Sequence, residues 1–172
     1  MNVWDLICER KSFFMDLCLE HLMISAIAIL IAIAAGGLIG IWLAEYRKFS
    51  KPVIAVVNFL YTIPSISMLG FLIPLSGIGN VTAILALTIY ALLPMVRSTF
   101  TGIINVDENM MEAAKGMGST RGQILRKIKI PLALPVIMSG IRNMVTMTLA
   151  LAGIASFIGA GGLGVAIYRG IT

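Results

Sequence analysis

Few residues of this chain are of types that do chemistry. Its 172 residues include two cysteines, Cys8 and Cys18, and one histidine, His21. On one helix the cysteines would stand about 15 Å apart, too far for a disulfide. There is no CxxC pair, and a single histidine leaves too few ligands for a structural zinc site. Buried or interfacial thiols are expected instead. Gly159, Gly161 and Gly164 of GAGGLG formally match G-x-G-x-x-G. A dinucleotide site also needs a preceding strand, a βαβ unit and a downstream acid, and all three are missing. A backbone break or re-entrant turn is expected there. No G-x-x-x-x-G-K-[ST] occurs, so the chain has no P-loop for ATP. No Ser/His/Asp set and no intramembrane carboxylate pair offers enzymatic chemistry. Two features remain: the polar segment DENMMEAAKGMGSTRGQILRKIKIP (107–131), and isolated polar residues inside apolar runs.

The elements that position them follow from composition. Hydrophobic residues make up 59% and charged residues 12% of the chain, against averages of about 45–50% and about 25%. Mean hydropathy is +0.98. These values exclude a soluble enzyme domain, a disordered tail and a coiled coil, and predict an all-α polytopic membrane protein. The formal charge is +5. No basic run is interleaved with aromatics, so nucleic acid is not a predicted partner; the excess marks cytoplasmic loops in a lipid bilayer.

Residues 1–20 mix charges with Trp4, Phe13, Phe14 and Leu17, as an amphipathic interfacial segment does. Asp5 and Glu9 stand where a signal peptide would be basic. A transmembrane domain over 21–172 is expected to follow. Its first span is read as Leu22–Ala44, with Ala28, Ala32, Gly36, Gly40 and Ala44 forming a small-residue ridge for close helix packing. The second, from Pro52 to Pro74, is kinked at Pro64. The third runs from Val81 to Val96, with Arg97 at its end. The fourth, from Pro131 to Phe157, carries Arg142 and Asn143. Placing the 45–51 and 97–130 loops on one side puts nine Lys and Arg there against three opposite, which makes that side cytoplasmic.

In the 107–131 segment, Asp107 and Glu108 suit a helix start, and Arg126, Lys127 and Lys129 suit a helix end. Gly116 and Gly118 interrupt the helix, and Thr120 with Gln123 fits a capping box that restarts it. The prediction is two short helices joined at Gly118: a rigid knuckle suited to docking a soluble partner, or else a solvated amphipathic loop.

The order Glu112-Ala113-Ala114, three residues, Gly118, nine residues, Ile128, one residue, Ile130-Pro131 resembles the EAA motif of bacterial ABC importer permeases, with Ile130 where the pattern usually has Leu. YTIPSISMLGFLIPLSGIGN (61–80), IYALLPMVRSTFTGI (89–103), PLALPVIMSGIR (131–142) and ASFIGAGGLG (155–164) look like permeases of glycine betaine/carnitine/choline importers. Together the likeness covers most of residues 21–164. It implies a type I permease fold with four to five transmembrane helices and a cytoplasmic coupling helix within a coupling loop at 105–130. It also implies that Glu112, Ala113, Ala114 and Gly118 couple to an ATP-binding subunit. Relatives generally continue into another span, so a final C-terminal span is expected to be missing.

The resemblance implies alternating-access import of a zwitterionic osmoprotectant across the bacterial cytoplasmic membrane. An extracytoplasmic binding protein would deliver the solute. A second permease copy or paralogue would complete the path. ATP and Mg would sit on the partner ATPase, with no cofactor on this chain. An amino acid such as methionine is the alternative cargo, and a non-transporting scaffold or sensor is the alternative class. Tyr61, Pro64, Ser65 and Arg142 are the candidate path residues. Arg142 lies about 16 Å beyond Pro131 along a helix, where an unpaired charge costs at least about 2.5–3.5 kcal/mol. It either meets a solute carboxylate or binds carbonyls freed near Pro64 or the GAGGLG break, the structural reading being favoured. Pro64 and Ser65 form the bend, with the path beside it. Tyr61 offers its ring to a quaternary ammonium or anchors the chain at the interface.

Overall fold

The computed structural model describes residues 8–171. All of its regular structure is helical. Three helical stretches are long and apolar enough to cross a membrane: Lys11–Glu45, Asn80–Ile104 and Arg121–Ile158. A bent pair, Arg47–Thr62 with Ser65–Ser76, makes a fourth if its two halves count as one span.

The first helix, α1, runs unbroken from Lys11 to Glu45, about 52 Å at 1.5 Å per residue. No break at residue 20 divides an interfacial segment from the span. The expected amphipathic stretch therefore continues into the span from Lys11 onward, and its residues 1–7 lie outside the described part. Helix α1 buries Ala28, Ala32, Gly36, Gly40 and Ala44, the ridge that their fourfold spacing places on one face.

A 3₁₀ turn, Arg47–Phe49, leads into α2 (Ser50–Thr62). Pro64 then breaks the chain, and α3 (Ser65–Ser76) leaves at 100° to the preceding segment. The expected kink is thus a full break. Pro64 cannot donate a helical hydrogen bond, and it disfavours helical geometry at the preceding residue; Ile63 is accordingly extended, with ψ 127°.

The central element is α4 (Asn80–Ile104). It continues through Pro94 and Arg97, past the Val96 boundary read from hydropathy. Arg97 is therefore a residue of the helix, not of the loop. α1 lies against α4, α7 (Ile130–Ala152) lies on another side of it, and α3 packs against its first half. Contact between α1 and α4 is near backbone distance: a Cβ added to Gly40 would lie 2.6 Å from Thr99 Cβ, and one added to Gly36 would lie 2.9 Å from Met95 Cβ. Three apolar clusters fill the contacts. Ala32, Met95 and Met144 belong to one, Ile24, Ala83 and Ala152 to another, and Met68, Leu72 and Tyr90 to the third.

Gly40→Leu is expected to destabilise the bundle by about 1–3 kcal/mol through overpacking. Gly70, whose added Cβ meets nothing within 4 Å, should tolerate Gly70→Ala without loss. Thermal unfolding of both purified variants in detergent checks the pair.

Candidate coupling and translocation site

The knuckle is built from α5 (Glu108–Gly116) and α6 (Arg121–Ile124). Asp107 caps α5 by accepting from the Asn109 amide at 2.9 Å. At the other end Gly118 N–H donates to Lys115 C=O at 2.9 Å and Ser119 N–H donates to Ala114 C=O at 3.0 Å. This bond pair is a Schellman motif, which needs a left-handed residue after the helix. Gly118 supplies it, with φ +83°. The spacing from Ala114 to Gly118 is therefore the spacing of a helix C-cap. Gly116, which the sequence suggested as an interruption, is instead the last residue of α5.

The chain restarts through a reciprocal capping box. Gln123 N–H donates to Thr120 Oγ1 at 3.3 Å, and Thr120 N–H donates to Gln123 Oε1 at 2.8 Å. Ala114 and Ile124 are buried, one in each of the two short helices. Glu112, Ala113 and Gly118 are exposed, as is Met117 at 80%. Of the four predicted coupling residues, three thus face outward and one faces inward.

One tie was not foreseen. Lys129 Nζ lies 2.8 Å from Glu45 Oε1 at the end of α1. In the sequence Glu45 stands beside Arg47, Lys48 and Lys51. Only the fold brings it to a residue 84 positions away. Between α6 and α7 the backbone passes through a π-helical turn, Leu125–Lys129.

The path candidates divide. Tyr61 is 39% exposed. Its hydroxyl lies 2.9 Å from Met147 Sδ, and its ring meets Tyr90 edge-on at 5.8 Å between centroids. Tyr90 donates to the carbonyl of Ile63 at the Pro64 break. That freed acceptor is thus met by a tyrosine, not by Arg142. Ser65 is half-buried and lines a narrow apolar slot with Leu69, Tyr90 and Leu151. Arg142 is exposed on α7, and its side chain makes no hydrogen bond or ion pair among the described residues. The structure therefore joins Tyr61, Pro64 and Ser65 around Tyr90, with no contact from Arg142.

The GAGGLG segment lies at the end opposite the knuckle. It follows a 3₁₀ turn, Gly153–Ile158, and precedes a short helix, α8 (Gly164–Ile171). Gly161 N–H donates to Asn80 Oδ1 at 2.9 Å, and Asn80 Nδ2 donates to Glu20 Oε1 at 2.8 Å. A Cβ on Gly161 would fall 1.8 Å from Glu20 Oε2. Nearby, His21 Nε2 lies 3.0 Å from the Leu149 carbonyl. Cys8 and Cys18 are both free and exposed. Among the described residues no group of three or more His, Cys, Asp or Glu could hold a metal.

A bundle of broken and unbroken apolar spans, carrying a rigid polar knuckle at one end, defines a transport permease with the type I ABC importer fold. Chains of the MetNI methionine ABC transporter in inward-facing crystal forms share it. One matches with a TM-score of 0.85 at 25% identity over 94% of this chain and 81% of its own. Another matches with a TM-score of 0.79 at 27% identity over 87% and 76%. The model of the family described as "binding-protein-dependent transport system inner membrane component" matches residues 36–172, and the chain belongs to that family.

Its relatives include the choline transport system permease protein OpuBD of Bacillus subtilis, 43% identical over 94% of this chain and 72% of that protein. The glycine betaine/carnitine/choline transport system permease protein OpuCB of the same organism is 45% identical over 88% and 70%. The osmoprotectant import permease protein OsmW of Salmonella typhimurium is 37% identical over 100% and 82%. The chain is thus a multi-pass subunit of the cytoplasmic membrane. It is a transport component rather than an enzyme, and it works within an importer that also has an ATPase and a binding protein.

Tyr90→Phe should leave the Ile63 carbonyl without its donor and cost about 1–3 kcal/mol. A lower melting temperature with unchanged helix content by circular dichroism is the expected signature.

Proposed function

We propose that this chain carries a small zwitterionic osmoprotectant, of the glycine betaine, carnitine or choline kind, into the cell by alternating access. The observation that carries the coupling half of this reading is the double-capped knuckle, tied to α1 through Glu45 and Lys129. A rigid lever transmits displacement and a floppy loop does not. Glu112, Ala113 and Gly118 are the outward contacts offered to a partner ATPase, which binds and hydrolyses ATP with Mg. Ala114 is buried, and its carbonyl accepts the Ser119 amide that closes the lever's turn.

The solute half rests on the relatives. Identity to permeases named for choline, glycine betaine, carnitine or osmoprotectants is 37–45%, against 25–27% for the methionine transporter. Three or four spans are too few to enclose a path, so two permeases, identical or paralogous, face each other across it. Tyr61, Pro64 and Ser65 border the path at the α2–α3 break. Arg142 faces it from α7, where a solute carboxylate repays the cost of placing a charge at that depth.

The double variant Glu112→Lys, Gly118→Trp should abolish co-purification of the ATPase while leaving the permease folded. Retained association would favour a scaffold that does not transport. In reconstituted importer, ATP-dependent uptake should occur with glycine betaine, carnitine or choline and not with methionine; methionine uptake alone would overturn the solute assignment.

A further inference from the structure

An open groove lies between α4 and α7, with the apolar Pro94 and Val136 among its walls. Arg97, Ser98 and Thr101 of α4 and Ser139, Gly140 and Asn143 of α7 also line this groove of about 350 Å³. A Cβ on Gly140 would fall 2.1 Å from Ser98 Oγ, so the two helices are locked together at its floor. Ser98 Oγ is already engaged, donating to the Met95 carbonyl at 3.2 Å. Arg97, Ser139 and Asn143 are exposed, and their side chains make no hydrogen bond or ion pair among the described residues.

Position makes this unusual. Arg97 is seven residues before the end of α4 at Ile104, about 10 Å inside the helix from the knuckle end. Arg142 is twelve residues into α7, about 18 Å from the same end. Ser139, Arg142, Asn143 and Thr146 recur at i, i+3, i+4 and i+7, which is one face of α7. Polar groups at such depth face water or protein, not lipid. No Asp or Glu occurs between Glu45 and Asp107 or after Glu112, so neither helix offers a carboxylate to these arginines. The partner they lack is an anion, and guanidinium matches carboxylate in a two-bond fork.

We infer that the Arg97–Asn143 groove is a carboxylate-binding station in the inner half of the path, taking the acidic end of a solute after it leaves Arg142. This rests on the permease reading. It distinguishes carboxylate-bearing solutes such as glycine betaine from choline, which has none.

The test uses the assembled importer in inside-out vesicles, with Cys8 and Cys18 changed to serine and Ser139→Cys as reporter. Labelling is followed with two membrane-impermeant methanethiosulfonates, one carrying a sulfonate and one a trimethylammonium. A cationic groove should favour the anionic reagent by about tenfold or more, after correction for their reactivities with a free thiol. Adding Arg97→Gln should erase that preference, and Arg97→Lys should keep part of it. Asn143→Cys is the second reporter if the first fails to assemble. A thiol that neither reagent reaches, or a preference that survives Arg97→Gln, overturns the station. In uptake assays Arg97→Gln should cut glycine betaine transport by about tenfold and leave choline within about twofold; equal loss of both overturns the carboxylate role. If the wild type carries neither solute, only the osmoprotectant assignment falls, because the labelling needs no solute.

Discussion

Inside an apolar slab a freed carbonyl or amide has no water to turn to, and each one left unmet costs as much as a lost hydrogen bond or more. The breaks in this bundle are placed where that demand is satisfied. At the Pro64 break the extended Ile63 turns its carbonyl out of the helical ladder, and Tyr90 of the neighbouring α4 meets it. The glycine segment frees the Gly161 amide, and Asn80 meets it, itself held by Glu20. Both answers come from, or through, α4. This helix is at once the mechanical centre of the bundle and the donor that permits the others to be irregular.

The same helix links the two ends of the molecule. Its glycine-level contacts with α1 and α7 leave little room for sliding without repacking. Packed interiors respond to displacement by switching as bodies, not by smooth deformation. Displacement of one of these helices is therefore expected to carry its neighbours with it. The Schellman bond pair after Ala114, the capping box at Thr120 and the Glu45–Lys129 pair stiffen the knuckle.

Helix α7 presents two faces with opposite chemistry. Ala133, Ile137, Gly140, Met144 and Thr148 face the bundle. Ser139, Arg142, Asn143 and Thr146 are exposed on the isolated chain. A lipid-facing surface would not carry that second stripe. In the proposed reading, that stripe is the side turned toward water, solute and a second permease.

Much of this was legible in residue spacing because its causes are local. The small-residue ridge of α1, the break at Pro64, the Gly118 turn and the Thr120–Gln123 box each depend on residues within a turn or two, so pattern and geometry coincide. The EAA spacing was legible as a motif, but its reason, a C-cap bond from Ser119 to Ala114, needed the backbone. Hydropathy ends the third apolar run at Val96, because a guanidinium looks like a boundary to any window average, yet the helix continues to Ile104. Only packing revealed that Arg97 lies within α4 and opens onto a groove. Glu45 with Lys129, Tyr90 with Ile63, and Glu20 with Asn80 and Gly161 join positions far apart in the chain. The chain alone determined that it crosses a membrane, where it bends and which loop is stiff, since hydrophobic runs, prolines and caps act over a few residues. Tertiary structure alone decided which polar groups answer one another and which are left exposed without a partner, because that choice depends on which helices lie side by side.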